Sequence, residues 1–280
     1  MLLKKLIESA ILEDIPTQDI TSTILLDPSE TATAHIIAKE AGVFCGETII
    51  NTFKTLYPTL TFNNILTDAS PLQKNTICCE ITGTYPTIVG IERTLLNFLQ
   101  RMCGIATQTQ RYVHALNNPN IHILDTRKTT PLLREIEKHA VCTGGGKNHR
   151  FGLHDMILVK ENHLLRYCTT HTINDFNQIL MQQKQTHPAM QIEVEVSSFS
   201  LLKTLDLTPI DIIMFDNMPL TELQPCIDHM NQSPKAPLKE VSGNITLDTI
   251  ANYQTIDIDR ISIGSLTHSV NSFDLSLLVL

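Results

Sequence analysis

A glycine-rich stretch followed by cations is the segment of the chain best suited to chemistry. Three consecutive glycines, Gly144 to Gly146, are followed closely by Lys147, His149 and Arg150. Glycine lets the backbone approach a ligand closely, and successive N–H groups can line a concavity that binds an anion. Arginine adds bidentate recognition of carboxylate or phosphate, and lysine adds a compact charge. The spacing differs from that of a P-loop or a dinucleotide-binding loop, so the stretch predicts another kind of anion pocket.

Basic side chains are concentrated around this stretch. Seven of the 21 lysines and arginines, and four of the 11 histidines, lie between Asp125 and His163. A solvated basic face is the alternative, and it is the commoner meaning of a charge run. However, Arg127 and Lys128 directly follow one strand-like run, and Lys160 ends another. Side chains at these points face the mouth of a β/α fold, which favours an anion site.

Three carboxylates form an acidic counterpart to these cations. Glu193 and Glu195 of IEVEV point to the same side of a strand, and Asp216 ends the next strand. These oxygens suit a magnesium ion together with sugar hydroxyls; the alternative is that one carboxylate pairs with a lysine of the barrel. The histidines lack the spacing of a zinc site, and no Ser–His–Asp or Cys–His arrangement is evident. The inventory suits transfer of a phosphorylated sugar.

Strand-like runs that alternate with helical segments make up the chain after residue 120. The strands are predicted at 121–125, 155–160, 190–196, 211–216, 238–243 and 260–264, and the helices near 131–139, 172–186, 198–206, 219–232 and 246–253. This alternation predicts a parallel sheet covered by helices, with the ligand site at the C-terminal ends of the strands. An open, doubly wound sheet has its site at the same edge, but the short connections favour barrel-like closure.

The N-terminal part has a different pattern. An amphipathic helix is predicted to end before Pro16, and strands are predicted in TATAHIIA, TLTFNN, TICCEITG and PTIVG. A long helix from Glu92 to about Asn117 is predicted to connect this part to the barrel. We therefore expect a domain of residues 1–112, which includes the bridging helix, and a barrel domain of residues 113–280, which includes the C-terminal tail.

Composition narrows the possible classes of protein. The net charge is −8 and tryptophan is absent, which disfavours nucleic-acid binding. No run reaches the length of a membrane span, and Glu8, Glu13 and Asp14 interrupt the start where a targeting signal would be apolar. The seven cysteines include no C-x-x-C pair, so free thiols in a reducing cytoplasm are expected.

Eight segments, in order, resemble the quinolinate phosphoribosyltransferase family nearly end to end. They are EDIPTQDITS, ERTLLNFLQRMCGIATQT, LDTRKTTP, GGGKNHRFGLHDMILVKENH, IEVEV, FDNM, EVSGNITLDTI and ISIGSLTHS. The resemblance implies a small N-terminal sandwich-like domain and an incomplete, TIM-like β/α barrel. It also implies a homodimer or larger assembly with shared active sites. The implied reaction, in NAD biosynthesis, is Mg²⁺-dependent transfer of phosphoribosyl from phosphoribosyl pyrophosphate to quinolinate, giving nicotinate mononucleotide, pyrophosphate and CO₂.

The resemblance also implies roles for individual residues. Substrate binding is implied for Arg127, Thr129, His149, Arg150 and Lys160 and, from the partner subunit, for Arg93. Catalytic roles are implied for Lys128, near the pyrophosphate, and for Glu195 and Asp216, which would hold ribose hydroxyls and magnesium. The 5′-phosphate would lie against Ser242, Gly243, Asn244, Gly264 and Ser265. Part of the family has glycine at the position of Asn244, so its side chain could contact the phosphate or point away.

Two other functions fit part of this pattern. A non-carboxylating nicotinate phosphoribosyltransferase would share the fold, but a substrate with one carboxylate needs fewer cations. A binding or regulatory protein could keep the pocket without turnover, although Lys128, Glu195 and Asp216 occur together.

Overall fold

The computed structural model describes residues 2–280, which form two compact units. The first contains the residues up to 110, together with 129–145 and 266–280, and the second contains 111–128 and 146–265. Met1, which begins the predicted first helix and first domain, lies outside the described residues.

The helices and strands are numbered in chain order. The helices are α1 (Leu2–Asp14), α2 (Ile20–Leu25), α3 (Glu47–Leu56), α4 (Tyr85–Leu116), α5 (Arg134–Thr143), α6 (Glu161–Tyr167), α7 (Ile173–Thr186), α8 (Phe199–Leu202), α9 (Leu220–Asn231) and α10 (Ser265–His268). The strands are β1 (Thr31–Ala38), β2 (Gly42–Val43), β3 (Thr61–Asn63), β4 (Pro71–Leu72), β5 (Ile77–Thr84), β6 (His122–Leu124), β7 (Ile157–Val159), β8 (Ile192–Val196), β9 (Ile212–Asp216), β10 (Leu238–Ser242), β11 (Arg260–Ser262) and β12 (Leu275–Val279).

An antiparallel sheet organises the first unit, in the order β12-β1-β5-β3. In β1, Ala34, Ile36 and Ala38 are fully buried, which confirms the alternation predicted for TATAHIIA. The last strand, β12, pairs with β1, and Ala34 lies opposite Val279. The C-terminal residues therefore belong to the first unit, whereas the sequence alone grouped this tail with the barrel.

The segment PTIVG was predicted as a strand, and this prediction was wrong. It lies in the first turns of α4, which begins at Tyr85 rather than at Glu92. Pro86 is tolerated there because the first N–H groups of a helix have no partner within the helix. Ile88 and Ile91 are buried three positions apart, which is the spacing of a helix rather than of a strand.

Six parallel strands form the sheet of the second unit, and all six were predicted. Their order is β6-β11-β10-β9-β8-β7, so the first strand pairs with the last and the others follow chain order. Only a β6–β7 pairing would be needed to close the ring, which makes this an incomplete β/α barrel. Ile192, Val194 and Val196 of β8 are fully buried, as expected for a strand covered on both faces.

The predicted helices of the second unit differ from the observed ones at several points. The segment 246–253 contains only one 3₁₀ turn, Ile250–Tyr253. The backbone N–H groups of Asn252 and Gln254 donate to carbonyls three residues earlier, at 3.1 and 3.2 Å, so this turn is wound more tightly than an α-helix. Only Phe199–Leu202 is helical within 198–206, whereas α6 was not predicted. No helix within residues 2–280 is both long and apolar enough to cross a membrane.

Candidate active site

Polar residues lie at one edge of the parallel sheet, where all six strands end. Asp125 follows β6, Lys160 follows β7, Asp216 ends β9 and Ser242 ends β10. Because the strands are parallel, their C-terminal ends meet at the same edge. The predicted placement of these four residues at the C-terminal ends of the strands is thus confirmed, whereas their binding roles stay predictions.

The cationic stretch after the glycines lies along β6, on the open side of the ring. Lys147 forms a parallel bridge with Leu124, and its N–H donates to the Ile123 carbonyl at 2.8 Å. The buried Asp125 carboxylate accepts the backbone N–H of His149 at 2.9 Å. The stretch is therefore held as an extended segment, which directs its next side chains into the barrel.

His149 is the centre of a buried charged cluster that the sequence did not predict. Its Nε2 lies 3.1 Å from a Glu193 oxygen and 3.3 Å from a Glu240 oxygen. Arg260 donates from Nε to Glu240 at 2.5 Å, and its Nη2 lies 3.9 Å from Glu193. Both carboxylates have no exposed surface. Because buried charges are costly alone, these groups must neutralise one another.

The ring of His149 is oriented by contacts at both nitrogens. The backbone nitrogen of Arg150 lies 2.8 Å from Nδ1, and Nε2 faces the two carboxylates. Burial lowers the pKa of His149, but the hydrogen bonds with Glu193 and Glu240 raise it to about 9. A direct contact between His149 and a substrate carboxylate remains a prediction.

Burial and mutual interaction also shift the pKa values of the two carboxyl groups. Burial and the neighbouring Glu240 raise the pKa of Glu193. Burial acts in the same direction on Glu240, but His149 and Arg260 lower its pKa overall.

The alternation of side chains along a strand could have identified Glu240 and Arg260, which were not predicted from the sequence. Glu240 precedes Ser242 by two residues, just as Glu193 precedes Glu195, so each glutamate lies one layer below a residue at the mouth. Arg260 pairs in register with Glu240 on the adjacent strand. Inward-facing residues of a β/α barrel form such layers, and here the lower layer is charged.

Two further arginines, Arg127 and Arg150, belong to the same unit. Arg150 is 9% exposed, and its Nη1 donates to the Met156 carbonyl at 3.1 Å. Burial and the nearby positive charge of Arg127 lower the pKa of Arg150. Two cations whose charges interact in this way favour binding of a ligand with more than one negative charge.

Glu195 and Asp216 form a separate acidic pair at the mouth. Burial and the Asp216 carboxylate raise the pKa of Glu195, while Lys160, at 3.9 Å, acts in the opposite direction. One predicted alternative, a carboxylate paired with a barrel lysine, thus applies to Glu195. Glu193 instead faces Arg260 and His149. Glu193 and Glu195, which were predicted to share one face of the strand, therefore belong to two different clusters.

The loop after β10 has a left-handed backbone. Gly243 has a φ of +102°, and Asn244 has a φ of +50°. The Asn244 side chain donates to Asn217 Oδ1 at 3.0 Å, so its amide contacts the protein. A Cβ atom at Gly243 would lie 2.2 Å from that same oxygen. Gly264 and Ser265, the other residues assigned to the phosphate, follow β11.

Gly243→Ala is expected to lower the free energy of unfolding by about 1–3 kcal/mol, because alanine would be strained at this φ and would displace Asn217. Urea unfolding of the purified variant measures the effect. Gly90→Ala in α4 is the matched control: its Cβ would meet Ile15 at an ordinary 3.5 Å, so stability is expected to be unchanged or raised by about 0.4–1 kcal/mol. Equal effects of the two substitutions would contradict the steric argument.

Two predicted site residues, Arg93 and Thr129, belong to the first unit. Arg93 lies on α4 with 58% of its side chain exposed, beside a cavity of about 420 Å³. Arg101 and Leu133 also line this cavity. Thr129 accepts a hydrogen bond from Arg134 Nε at 3.1 Å.

Two family models match nearly the whole chain. The model described as "Quinolinate phosphoribosyl transferase, C-terminal domain" matches residues 105–278, and its N-terminal counterpart matches residues 19–103. The chain belongs to the quinolinate phosphoribosyltransferase family. The resemblance read from the eight sequence segments is confirmed.

Individual relatives of this family align over the full length. A protein of Bacillus subtilis named "Probable nicotinate-nucleotide pyrophosphorylase [carboxylating]" is 38% identical over 98% of this chain and 92% of its own. "Quinolinate phosphoribosyltransferase [decarboxylating] 1" of Nicotiana glauca is 35% identical over 98% of this chain and 81% of its own. The crystal structure of NadC from Streptococcus pyogenes is 36% identical with a TM-score of 0.88, covering 98% of this chain and 95% of that one. The predicted N-terminal domain and incomplete barrel are confirmed as the fold class.

Proposed function

We propose that this protein transfers phosphoribosyl from phosphoribosyl pyrophosphate to quinolinate, releasing pyrophosphate and CO₂ and forming nicotinate mononucleotide in NAD biosynthesis. The relatives that align end to end are named for this reaction. The observation that carries the proposal is the buried Arg150, whose guanidinium donates to the Met156 carbonyl and whose pKa is lowered by burial and by the positive charge of Arg127. Quinolinate has two carboxylates, and this pair of cations suits such a dianion.

Quinolinate binds between the arginines and Lys160 in this proposal. A guanidinium can hold each carboxylate through two parallel hydrogen bonds, and this fixes the plane of the pyridine ring. His149 and the neighbouring subunit's copy of Arg93 complete the pocket. The ring nitrogen is thereby directed at C1′ of the ribose, and holding the two reactants in this geometry is a large part of the rate enhancement.

The phosphoribosyl half binds at the acidic side of the mouth. Glu195 and Asp216 fit a Mg²⁺ ion, because the two carboxylates repel each other and a cation between them would offset that repulsion. When bound, Mg²⁺ supplies positive charge that stabilises the departing pyrophosphate. Lys128 adds a second cation for the same leaving group. The 5′-phosphate lies against the loops at 242–244 and 264–265.

The transfer requires no covalent intermediate with the protein. The C1′–oxygen bond to pyrophosphate breaks with oxocarbenium character, and the lone pair of the pyridine nitrogen forms the new bond to C1′. The positively charged ring then loses its adjacent carboxylate as CO₂; the electron pair stays on the ring carbon, which takes a proton. Release of that carboxylate from its arginine is the step that the protein controls. Trapping of a ribosyl adduct on the protein would contradict this sequence of events.

The first test of the function is a turnover assay on the purified protein with phosphoribosyl pyrophosphate and Mg²⁺, offering quinolinate or nicotinate as acceptor. We expect nicotinate mononucleotide to form from quinolinate and not from nicotinate. CO₂ should be released in equal amount to the nicotinate mononucleotide formed. Turnover from nicotinate would instead assign the non-carboxylating reaction. A folded protein that turns over neither acceptor would be a binding protein.

We also propose a homodimer or larger assembly in which Arg93 reaches the site of the neighbouring subunit. Apolar side chains on α2 support such an interface, since Ile20, Ile24 and Leu25 are 65%, 73% and 73% exposed. Mixing inactive Arg93→Ala and Lys128→Ala subunits is expected to restore up to about a quarter of wild-type activity. One site in four of a random mixture is intact, because it combines an unmodified Arg93 with an unmodified Lys128. No restoration after proven subunit exchange would place Arg93 in the site of its own chain.

A cytoplasmic location is proposed as well. All seven cysteines are free thiols, and five of them are buried. Burial raises the pKa of Cys78 and of Cys79 to about 12, so these adjacent side chains remain protonated thiols. Free thiols persist in reducing compartments.

A further inference from the structure

We infer that Asn217 is a positioning residue that joins the two halves of the phosphoribosyl site, by linking Asn244 of the phosphate loop to the Asp216 carboxylate. The inference rests on the proposed function, because that function assigns the ribose and metal to Asp216 and the 5′-phosphate to the loop at 242–244. Asn217 itself contacts neither the reacting atoms nor the pyridine ring in this assignment.

The link begins where β9 and β10 end. Ser242 and Asp216 are paired in register, and the N–H of Asn217 donates to the Ser242 carbonyl at 2.9 Å. The hydrogen-bonding ladder thus extends one residue beyond the strands. Because of this extension, the side chain of Asn217 lies beside the loop that follows β10.

Two side-chain hydrogen bonds complete the link, and both are donated in the direction from Asn244 towards Asp216. Asn244 Nδ2 donates to Asn217 Oδ1 at 3.0 Å, and Asn217 Nδ2 donates to Asp216 Oδ2 at 3.0 Å. A carboxylate accepts only, so Asn217 must turn its NH₂ group to Asp216 and its oxygen to Asn244. A carboxamide provides both functions in one planar group, and hydrogen bonds in series polarise one another.

The backbone conformation keeps these amides in place. Asn217 and Asn244 have φ values of 51° and 50°, in the left-handed region that asparagine tolerates better than most residues. Gly243 lies against Asn217, since a Cβ atom at this glycine would lie 2.5 Å from Asn217 Cγ. The side chain of Asn217 therefore packs directly on the loop backbone, and movement of either one displaces the other.

The consequence is coupling between the phosphate and the ribose or metal. One oxygen of Asp216 is held by Asn217, which fixes the direction of the other oxygen. A phosphate that orders the loop also orders Asn244 and, through Asn217, the carboxylate. Ordering shared between two sites makes binding at one favour binding at the other.

The test measures binding of phosphoribosyl pyrophosphate with Mg²⁺, and of ribose 5-phosphate with and without Mg²⁺, by calorimetry in the absence of acceptor. Asn217→Ala is expected to weaken phosphoribosyl pyrophosphate binding about tenfold, and Asn244→Gly about threefold, the range for lost hydrogen bonds. Glycine at 244 accepts the same φ but has no amide. The double variant is expected to resemble Asn217→Ala alone, since both changes break the same link. Mg²⁺ should strengthen ribose 5-phosphate binding less in Asn217→Ala than in the wild type.

Asn231→Ala is the matched control, because it removes another Asn–Asp hydrogen bond, to Asp257 at 2.9 Å, before the start of β11. It should leave phosphoribosyl pyrophosphate binding unchanged. The quinolinate Kd should stay within about twofold for every variant, because the link does not reach the arginines. The inference would be overturned if the double variant weakened phosphoribosyl pyrophosphate binding by the product of the two single effects. It would also be overturned if Mg²⁺ strengthened ribose 5-phosphate binding equally in Asn217→Ala and in the wild type. Lack of turnover by the wild type would overturn the proposed function. The coupling between phosphate and Mg²⁺ binding would still be measurable, because the calorimetry requires no turnover.

Discussion

Arg260→Ala is expected to lower the free energy of unfolding by about 3–5 kcal/mol, the range for removing one partner of a buried ion pair. The arginine lies against Glu193 and Glu240, neither of which has exposed surface. Without it, two carboxylates remain in the interior with His149 as their remaining cationic contact in the cluster described above. Urea unfolding followed by circular dichroism measures the change, with an unaltered m-value as evidence that the same transition is compared.

Arg260→Lys and Arg166→Ala are the controls for this prediction. Lysine keeps the charge but lacks the fork that reaches both carboxylates, so we expect it to recover only part of the loss. Arg166 lies exposed on α6 of the same unit, and its removal should change stability by no more than about 0.5 kcal/mol. A loss below about 1 kcal/mol for Arg260→Ala would mean that the cluster does not depend on this charge.

Arg150→Ala is expected to lower kcat/KM for quinolinate by about 30- to 4,000-fold. This corresponds to the roughly 2–5 kcal/mol that removal of one partner of a buried hydrogen-bonded charge pair costs. The Kd of quinolinate should rise far more than that of phosphoribosyl pyrophosphate, because the proposed function assigns this guanidinium to the carboxylates of quinolinate. Steady-state kinetics with each substrate varied in turn, together with calorimetry, separate the two effects.

Lys147→Ala offers a matched control three residues away in the same cationic stretch. The Lys147 ammonium group lies 2.8 Å from His122 Nε2, near the start of β6 and away from the strand ends. Its removal should therefore change kcat/KM for quinolinate by less than about threefold. Equal losses at Lys147 and Arg150 would indicate that the net charge of the stretch, rather than the placement of Arg150, determines binding. If Arg150→Ala raised the Kd of quinolinate and the Kd of phosphoribosyl pyrophosphate equally, the proposed separation of the two substrate sites would be contradicted.

Three features can be inferred from the amino-acid sequence alone: the six strands of the barrel, the edge at which their polar residues meet, and the family. Short apolar runs such as IEVEV and DIIMFD identify buried strands locally, because period-two patterns and turn residues depend on near neighbours. In a parallel sheet the strand direction then places Asp216, Ser242 and Lys160 at one edge without knowledge of the strand order. The family resemblance depends on ordered local motifs and needs no coordinates.

Which of these side chains act together depends on how the strands are arranged in the folded chain. Glu193 and Glu195 lie on one face of β8, but only the strand order brings Glu193 to Arg260 and Glu240. The pairing of β12 with β1 and the contact of Asn217 with Asn244 likewise join residues that are distant in the chain. Local periodicity states which way a side chain points, whereas its partner is set by sheet order and register, which arise from packing of the whole chain.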